Sequence, residues 1–324
     1  SMTVLLSLPA VAVTLCLGIV WVGIERDRGQ ATGGYDYGGL ALLAVTLGLL
    51  MGGLIAIRLM GVGSPFPWLL VLLSFAALAV LVRFERALAE RPEAGVAPLI
   101  DVRTFVRAAQ WPVQLTAFLF GMSVLGAQIP LSTFARTDPD VAGFGLGASA
   151  AFVSTLIGVY VVTMVVGALL LPVLSRALGP RGAMVAGCAF VGVGYGLFLP
   201  LHDSTTQTLT NMGVAGVGSG LLVAALPAAA AAAAPPHATG FATGMTNATK
   251  TVGGAIASAV FAIALASTGS IDDPTLGTAP LSGYLTVWAV CSASAFVAAV
   301  VLLVTRRREV SSATTDRVGG GGGS

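Results

Sequence analysis

Lys250 is the only lysine in 324 residues and the only charged side chain that falls inside a long apolar run. From a helix start near Thr239 it would lie about 16 Å along, close to the middle of a bilayer. An ammonium there costs at least about 2.5–3.5 kcal/mol, so it should face a polar cavity or a partner. The alternative is a snorkelling lysine whose stem lies along apolar surface while its head reaches the interface. No Asp or Glu lies inside any apolar run. The chain therefore offers no buried carboxylate for proton coupling and no membrane-embedded general base, which disfavours an intramembrane enzyme. Cys16, Cys188 and Cys291 lack the paired spacing of a metal or redox site and read as small packing residues. His202 and His237 are isolated in short loops, too few for a metal cluster, and read as bland surface groups. Neither set calls for a cofactor.

The elements that must position Lys250 follow from composition. Hydrophobic residues make 56% of the chain and charged residues 9%, where a soluble domain carries about 25% charge. A net charge of +2 gives no reason to expect a nucleic-acid or acidic partner. The expected partner at this level is the lipid bilayer. Nine apolar segments can be read, at 3–23, 38–57, 67–82, 113–134, 148–174, 183–201, 209–231, 239–266 and 281–304. The third is short for a span that needs about 20 residues. The runs are continuously apolar and lack the alternation of barrel strands, so the expected class is an all-α polytopic membrane protein with about nine transmembrane helices.

Arginines set an expected orientation. The connections after spans one, three and five and the tail after span nine hold thirteen of them, from Arg26 and Arg28 to Arg306, Arg307, Arg308 and Arg317. The opposite side holds only Arg58 and Arg136. Positive charge marks the cytoplasmic side, so the N-terminus of the chain is expected outside and the C-terminus inside a cell membrane. Residues Gly319 to Ser324 read as an engineered flexible linker and Ser1-Met2 as a cloning scar. In the long connection, Pro98 to Arg107 carries Val102, Phe105 and Val106 on one helical face with Ala109. It suits either a short helix on the membrane surface or a solvated link.

Several stretches agree in order with one family. Pro98-Leu99-Ile100-Asp101-Val102-Arg103-x-Phe105 precedes an apolar span, Asp36-x-x-Gly39 opens another, and Leu8-Pro9 sits in the first. Pro235-x-x-x-x-Gly240-x-x-x-Gly244-x-x-Asn247-x-x-Lys250-x-x-Gly253-Gly254 opens and fills the eighth. Together they resemble spans six to fourteen of the fourteen-span drug:proton antiporters of the major facilitator superfamily. Lys250 stands where that family usually has Arg, and Ser7 where it has Asn. The resemblance implies a leftover N-half helix at 1–24, two linker helices and a cytoplasmic connection at 25–110, a C-terminal six-helix bundle at 111–308 and a tail at 309–324. A missing N-terminal bundle, carrying the coupling acids, and a small-molecule substrate are then expected partners, with a proton gradient as the energy source in place of a cofactor.

The implied function is part of a proton-driven secondary transporter that exports amphipathic drugs by alternating access. The alternative is a non-transporting scaffold or assembly fragment. The resemblance puts spans four, five, seven and eight around the cavity, which nominates Lys250, Asn247, Gln114, Gln128, Tyr160 and Thr163 for the substrate pathway. Helix–helix hydrogen bonding is the other reading of these polar residues. Arg176, Gly179 and Arg181 lie in a link that resembles a degenerate copy of the superfamily's loop signature, a gating loop or simply a tight turn. Gly216, Gly220, Gly240, Gly244, Gly253 and Gly254 put small residues on helix faces, where backbones can approach closely.

Overall fold

A computed structural model describes residues 2–23, 34, 36–61, 63–91, 99, 109–235, 238–267 and 279–319. The Pro98–Arg107 segment (apart from Leu99), His237 and the terminal Gly/Ser stretch beyond Gly319 lie outside the described residues. The described chain is all-α. In chain order the helices are α1 (Met2–Gly23), α2 (Tyr37–Met60), α3 (Pro65–Ala89), α4 (Trp111–Gly126), α5 (Gln128–Arg136) and the single turn α6 (Pro139–Ala142). They continue with α7 (Ala150–Leu197), α8 (Thr205–Ala233), α9 (Thr239–Ser267) and α10 (Leu281–Gly319).

Seven stretches among the described residues are helical, long and apolar enough to cross a bilayer. One of them, α7, has 48 residues. Straight, it would run about 70 Å, more than twice the thickness of the hydrocarbon core. It is not straight. Gly179 takes φ 78° and ψ 162°, which interrupts the helix between the fifth and sixth apolar runs. Pro180 explains the choice, because a proline disfavours helical ψ in the residue before it, while its own fixed φ suits the first position of the next helix.

Contacts with α8 show that the two limbs of α7 run in opposite directions. In the first limb Tyr160 faces Gly216 and Met164 faces Gly220, so numbers rise together. In the second, Gly187 faces Gly218 and Gly194 faces Ala215, so they run against each other. Ser149 caps the first limb through Phe152 N, and a Ser204–Gln207 capping box starts α8.

The remaining bundle follows from close glycine contacts. Gly121 of α4 meets Lys250 of α9, and Gly126 meets Ala257 and Phe261 farther along, a parallel pair. Gly192 of α7 meets Phe296 of α10, and Ser292 Oγ donates to the Gly192 carbonyl at 2.7 Å. Lipid tails give helices no hydrophobic reason to associate, so such contacts and a few polar bonds must hold the bundle. An aromatic cluster of Phe134, Phe198, Tyr284 and Trp288 fills one end, with Phe134 and Trp288 centroids 4.9 Å apart edge to face.

Before the bundle, α2 and α3 form a hairpin. Asp36 caps α2 by accepting from Gly39 N at 2.7 Å, which gives the Asp-x-x-Gly pattern a local physical meaning. The same carboxylate accepts from Leu99 N at 3.3 Å. The described side chains of α1 are all exposed.

Two expectations need correction. The third span is not short: α3 runs for 25 residues, and Glu85 within it is 1% exposed, lying against Gly39. A buried acid therefore exists inside a membrane helix. It sits about 30 Å from Pro65, the full thickness of the hydrocarbon core, so it belongs to the end of the hairpin and not to the midplane. The fourth span reappears as one membrane-length stretch, Trp111–Arg136, with a break at Ala127 between α4 and α5. His202 is half-buried against the aromatic cluster, with Nδ1 donating to the Phe198 carbonyl at 2.9 Å, and is not a bland surface group.

Candidate substrate pathway

Helix α9 has two faces of different character. Ala242, Thr246, Gly253, Gly254, Ala257 and Phe261 are buried in the bundle. Gly240, Gly244, Asn247, Ala248, Thr251 and Ala255 are exposed, and at about 100° per residue they fall on the opposite side. That exposed face is small and polar in the middle of a helix that crosses the membrane.

Lys250 stands between these faces. Its main-chain carbonyl presses on Gly121 of α4, so its backbone belongs to the packed side. Its side chain turns outward, and Nζ donates to Asn247 Oδ1 at 3.1 Å. The bond ties the cation about one turn back along the same helix, a rise of about 4.5 Å, far short of the interface some three turns away.

Gln114 approaches the same helix from α4. It is buried, and Nε2 donates to Thr246 Oγ1 at 3.1 Å. One turn earlier, Gln110 Nε2 donates to the Ala230 carbonyl of α8 at 2.8 Å. The Oε1 atoms of both glutamines have no protein partner. These two side chains tie the start of α4 to α8 and α9 at once. The composition of the fourth span drew notice to Gln114, but Gln110 lies before that apolar run and Thr246 is one threonine among many, so neither stood out.

The other nominated residues are placed elsewhere. Tyr160 is buried in the α7–α8 seam and donates to Ser219 Oγ at 2.7 Å. Thr163 is half-buried there, with its hydroxyl donating to its own helix at Val159, and it packs on Gly216. Gln128 is exposed at the first residue of α5. The structure thus pairs Lys250 with Asn247, seats Gln114 on the buried side of α9 at Thr246, and places Tyr160 and Thr163 in the α7–α8 seam and Gln128 at the start of α5.

In the link, Arg176 is exposed, Arg181 half-buried, and nothing lies within 4 Å of a Cβ built on Gly179. The glycines divide sharply. A Cβ at Gly216, Gly220 or Gly253 would collide with the backbone carbonyl of Tyr160, Met164 or Phe118, and one at Gly254 with Leu125. Gly240 and Gly244 have no neighbour within 4 Å, so no described helix packs on them.

Helix α9, long and apolar enough to cross a membrane, thus carries an exposed strip with Asn247 and Thr251 and the Lys250–Asn247 pair beside it. The sequence model of the Major Facilitator Superfamily matches residues 10–258 and, in a second overlapping match, residues 118–321. The chain belongs to the Major Facilitator Superfamily. No curated protein sequence matches it. Superfamily members are secondary transporters and not enzymes, and they are built from two six-helix halves with the substrate site near the bilayer midplane between them. Helices α4 to α10 supply six crossings, with α7 counting twice and α4 and α5 together once.

Proposed function

We propose that this chain forms one wall of the pathway of a proton-driven exporter of amphipathic small molecules, working by alternating access against a second helical bundle. The observation that carries the reading is the exposed face of α9. Lipid cannot cover Asn247 and the Lys250 ammonium near mid-membrane cheaply, so water, substrate or protein must meet that face. A cation hydrogen-bonded to an amide offers an amphipathic molecule a polar anchor on a face of small residues. The motif order around Lys250 supports the drug:proton antiporter branch in particular, with the coupling acids in the second bundle, the N-terminus outside and the C-terminus in the cytoplasm of a cell membrane.

Efflux from cells that express the protein and are loaded with a fluorescent amphipathic dye tests this. A protonophore should stop efflux. Lys250→Ala should slow it about tenfold, the equivalent of about 1.4 kcal/mol, while Lys250→Arg should keep it. Wild-type efflux by Lys250→Ala at equal abundance would overturn the assignment, and the absence of protonophore-sensitive efflux from the unmutated protein would favour the scaffold reading.

A further inference from the structure

A second feature continues the exposed face of α9 from Ala255 toward the end of that helix. A cavity of about 880 Å³ opens between α2, α5, the last third of α9 and the start of α10. Its volume is that of a site for a sizeable small molecule. Met51, Leu54 and Ile55 of α2 form one wall, and Ala255, Ala259 and Ala262 of α9 form another. The alanines recur along one face and leave room between the helices.

The third wall, α5, is ordered by chemistry. Ile129, Thr133 and Arg136 all line the cavity, and at this spacing they stand on one helical face. The order runs from an apolar residue at depth, through a hydroxyl, to a guanidinium at the helix end. Among the described residues, Arg136 is the one charged side chain in the lining. From Ala255 to Leu265 the cavity extends about 15 Å along α9. That is half of the roughly 30 Å hydrocarbon core, the depth of one leaflet. Ile55, Ile129 and Arg136 are themselves exposed, so the cavity opens sideways to whatever surrounds the bundle.

We propose that this groove binds one anionic phospholipid of the bilayer, with an acyl chain against Leu54, Ile129 and Ala259 and the phosphate paired with Arg136. Charge complementarity selects the headgroup, since a guanidinium forms bidentate bonds with phosphate. The one-leaflet depth and apolar walls select a lipid over a soluble anion. The bound lipid would wedge the α2–α3 hairpin against the bundle, because α2 and α9 both line the groove.

Native mass spectrometry of the purified chain, after delipidation and titration with phosphatidylglycerol or phosphatidylcholine, tests the proposal without reference to transport. The expected result is one tightly held phosphatidylglycerol, retained at least tenfold better than phosphatidylcholine. Arg136→Gln should remove that preference, Arg136→Lys should keep part of it, and Ala259→Phe should exclude both lipids by filling the groove. A matching elution volume on size exclusion shows that each variant is folded. Equal retention of the two lipids, or unchanged retention by Arg136→Gln and Ala259→Phe, would overturn the proposal. So would a lipid-free dimer, which would show that a second copy occupies the groove.

Discussion

The carbonyl oxygen of Lys250 stands where a Cβ on Gly121 would be, so the cation of α9 is anchored by its backbone to α4 while its side chain is free to turn toward Asn247. A methyl group at 121 forces the two helices apart. Gly121→Ala should lower stability by about 1–3 kcal/mol, the usual cost of overpacking a close contact. Thermal unfolding of the purified protein in detergent measures it. Gly244→Ala is the matched control on α9. With nothing near its Cβ it should be neutral or stabilising by up to about 1 kcal/mol, through helix propensity alone.

Accessibility along α9 should follow its two faces. Cys16 is the exposed native thiol, and Cys188 and Cys291 are buried, so a Cys16→Ser background reports mainly on introduced cysteines. Gly244→Cys, Asn247→Cys and Thr251→Cys should react with a water-soluble maleimide in native membranes. Thr246→Cys, one residue from Asn247 but buried toward Gln114, should not. Uniform protection of all four would mean that the exposed face meets no water and would count against the pathway.

The Gln114–Thr246 bond joins α4 to α9, and its worth is measurable by a double-mutant cycle of Gln114→Leu and Thr246→Val. Inter-helix hydrogen bonds in membrane proteins average about 0.6 kcal/mol, so a coupling of that size in unfolding free energy is expected. The single Gln114→Leu change should cost little more, since it also removes a buried carbonyl oxygen that has no protein partner.

How far the sequence reveals this structure depends on the length scale. Apolar runs of about 20 residues report bilayer crossings because every backbone polar group must be satisfied internally. That is why the segments reappear in α1 to α10, and why the glycine-proline pair at 179–180 could be placed as a turn. Helix faces were much harder to read. In a membrane both the lipid side and the packed side of a helix are apolar, so periodicity does not say where Tyr160 or Thr163 points. Gly216 and Gly240 look alike in sequence, yet one lies against Tyr160 and Thr163 and the other faces open space. Glu85 was hidden by its neighbours. Glu85 lies among Arg83, Arg86, Glu90 and Arg91, just past the end of the third apolar run at 82, whereas α3 carries it one further turn into contact with α2.

Gly179 gives a prediction in which contact plays no part. Its φ of 78° with ψ of 162° lies in a region that side-chain-bearing residues avoid, and nothing within 4 Å would touch a new Cβ. Any loss on substitution is therefore backbone strain. Gly179→Ala should cost about 1–3 kcal/mol, and Gly179→Asn as much, because the ordinary left-handed region that asparagine tolerates has ψ near 47° and is not used here. Pro180→Ala should relieve the strain in both variants, since without the proline ring residue 179 regains access to helical ψ. Thermal unfolding of Gly179→Ala and of Gly179→Ala/Pro180→Ala measures the difference. A double variant no more stable than the single would show that the hairpin between the limbs of α7 is imposed by their packing on α8, and not by the turn.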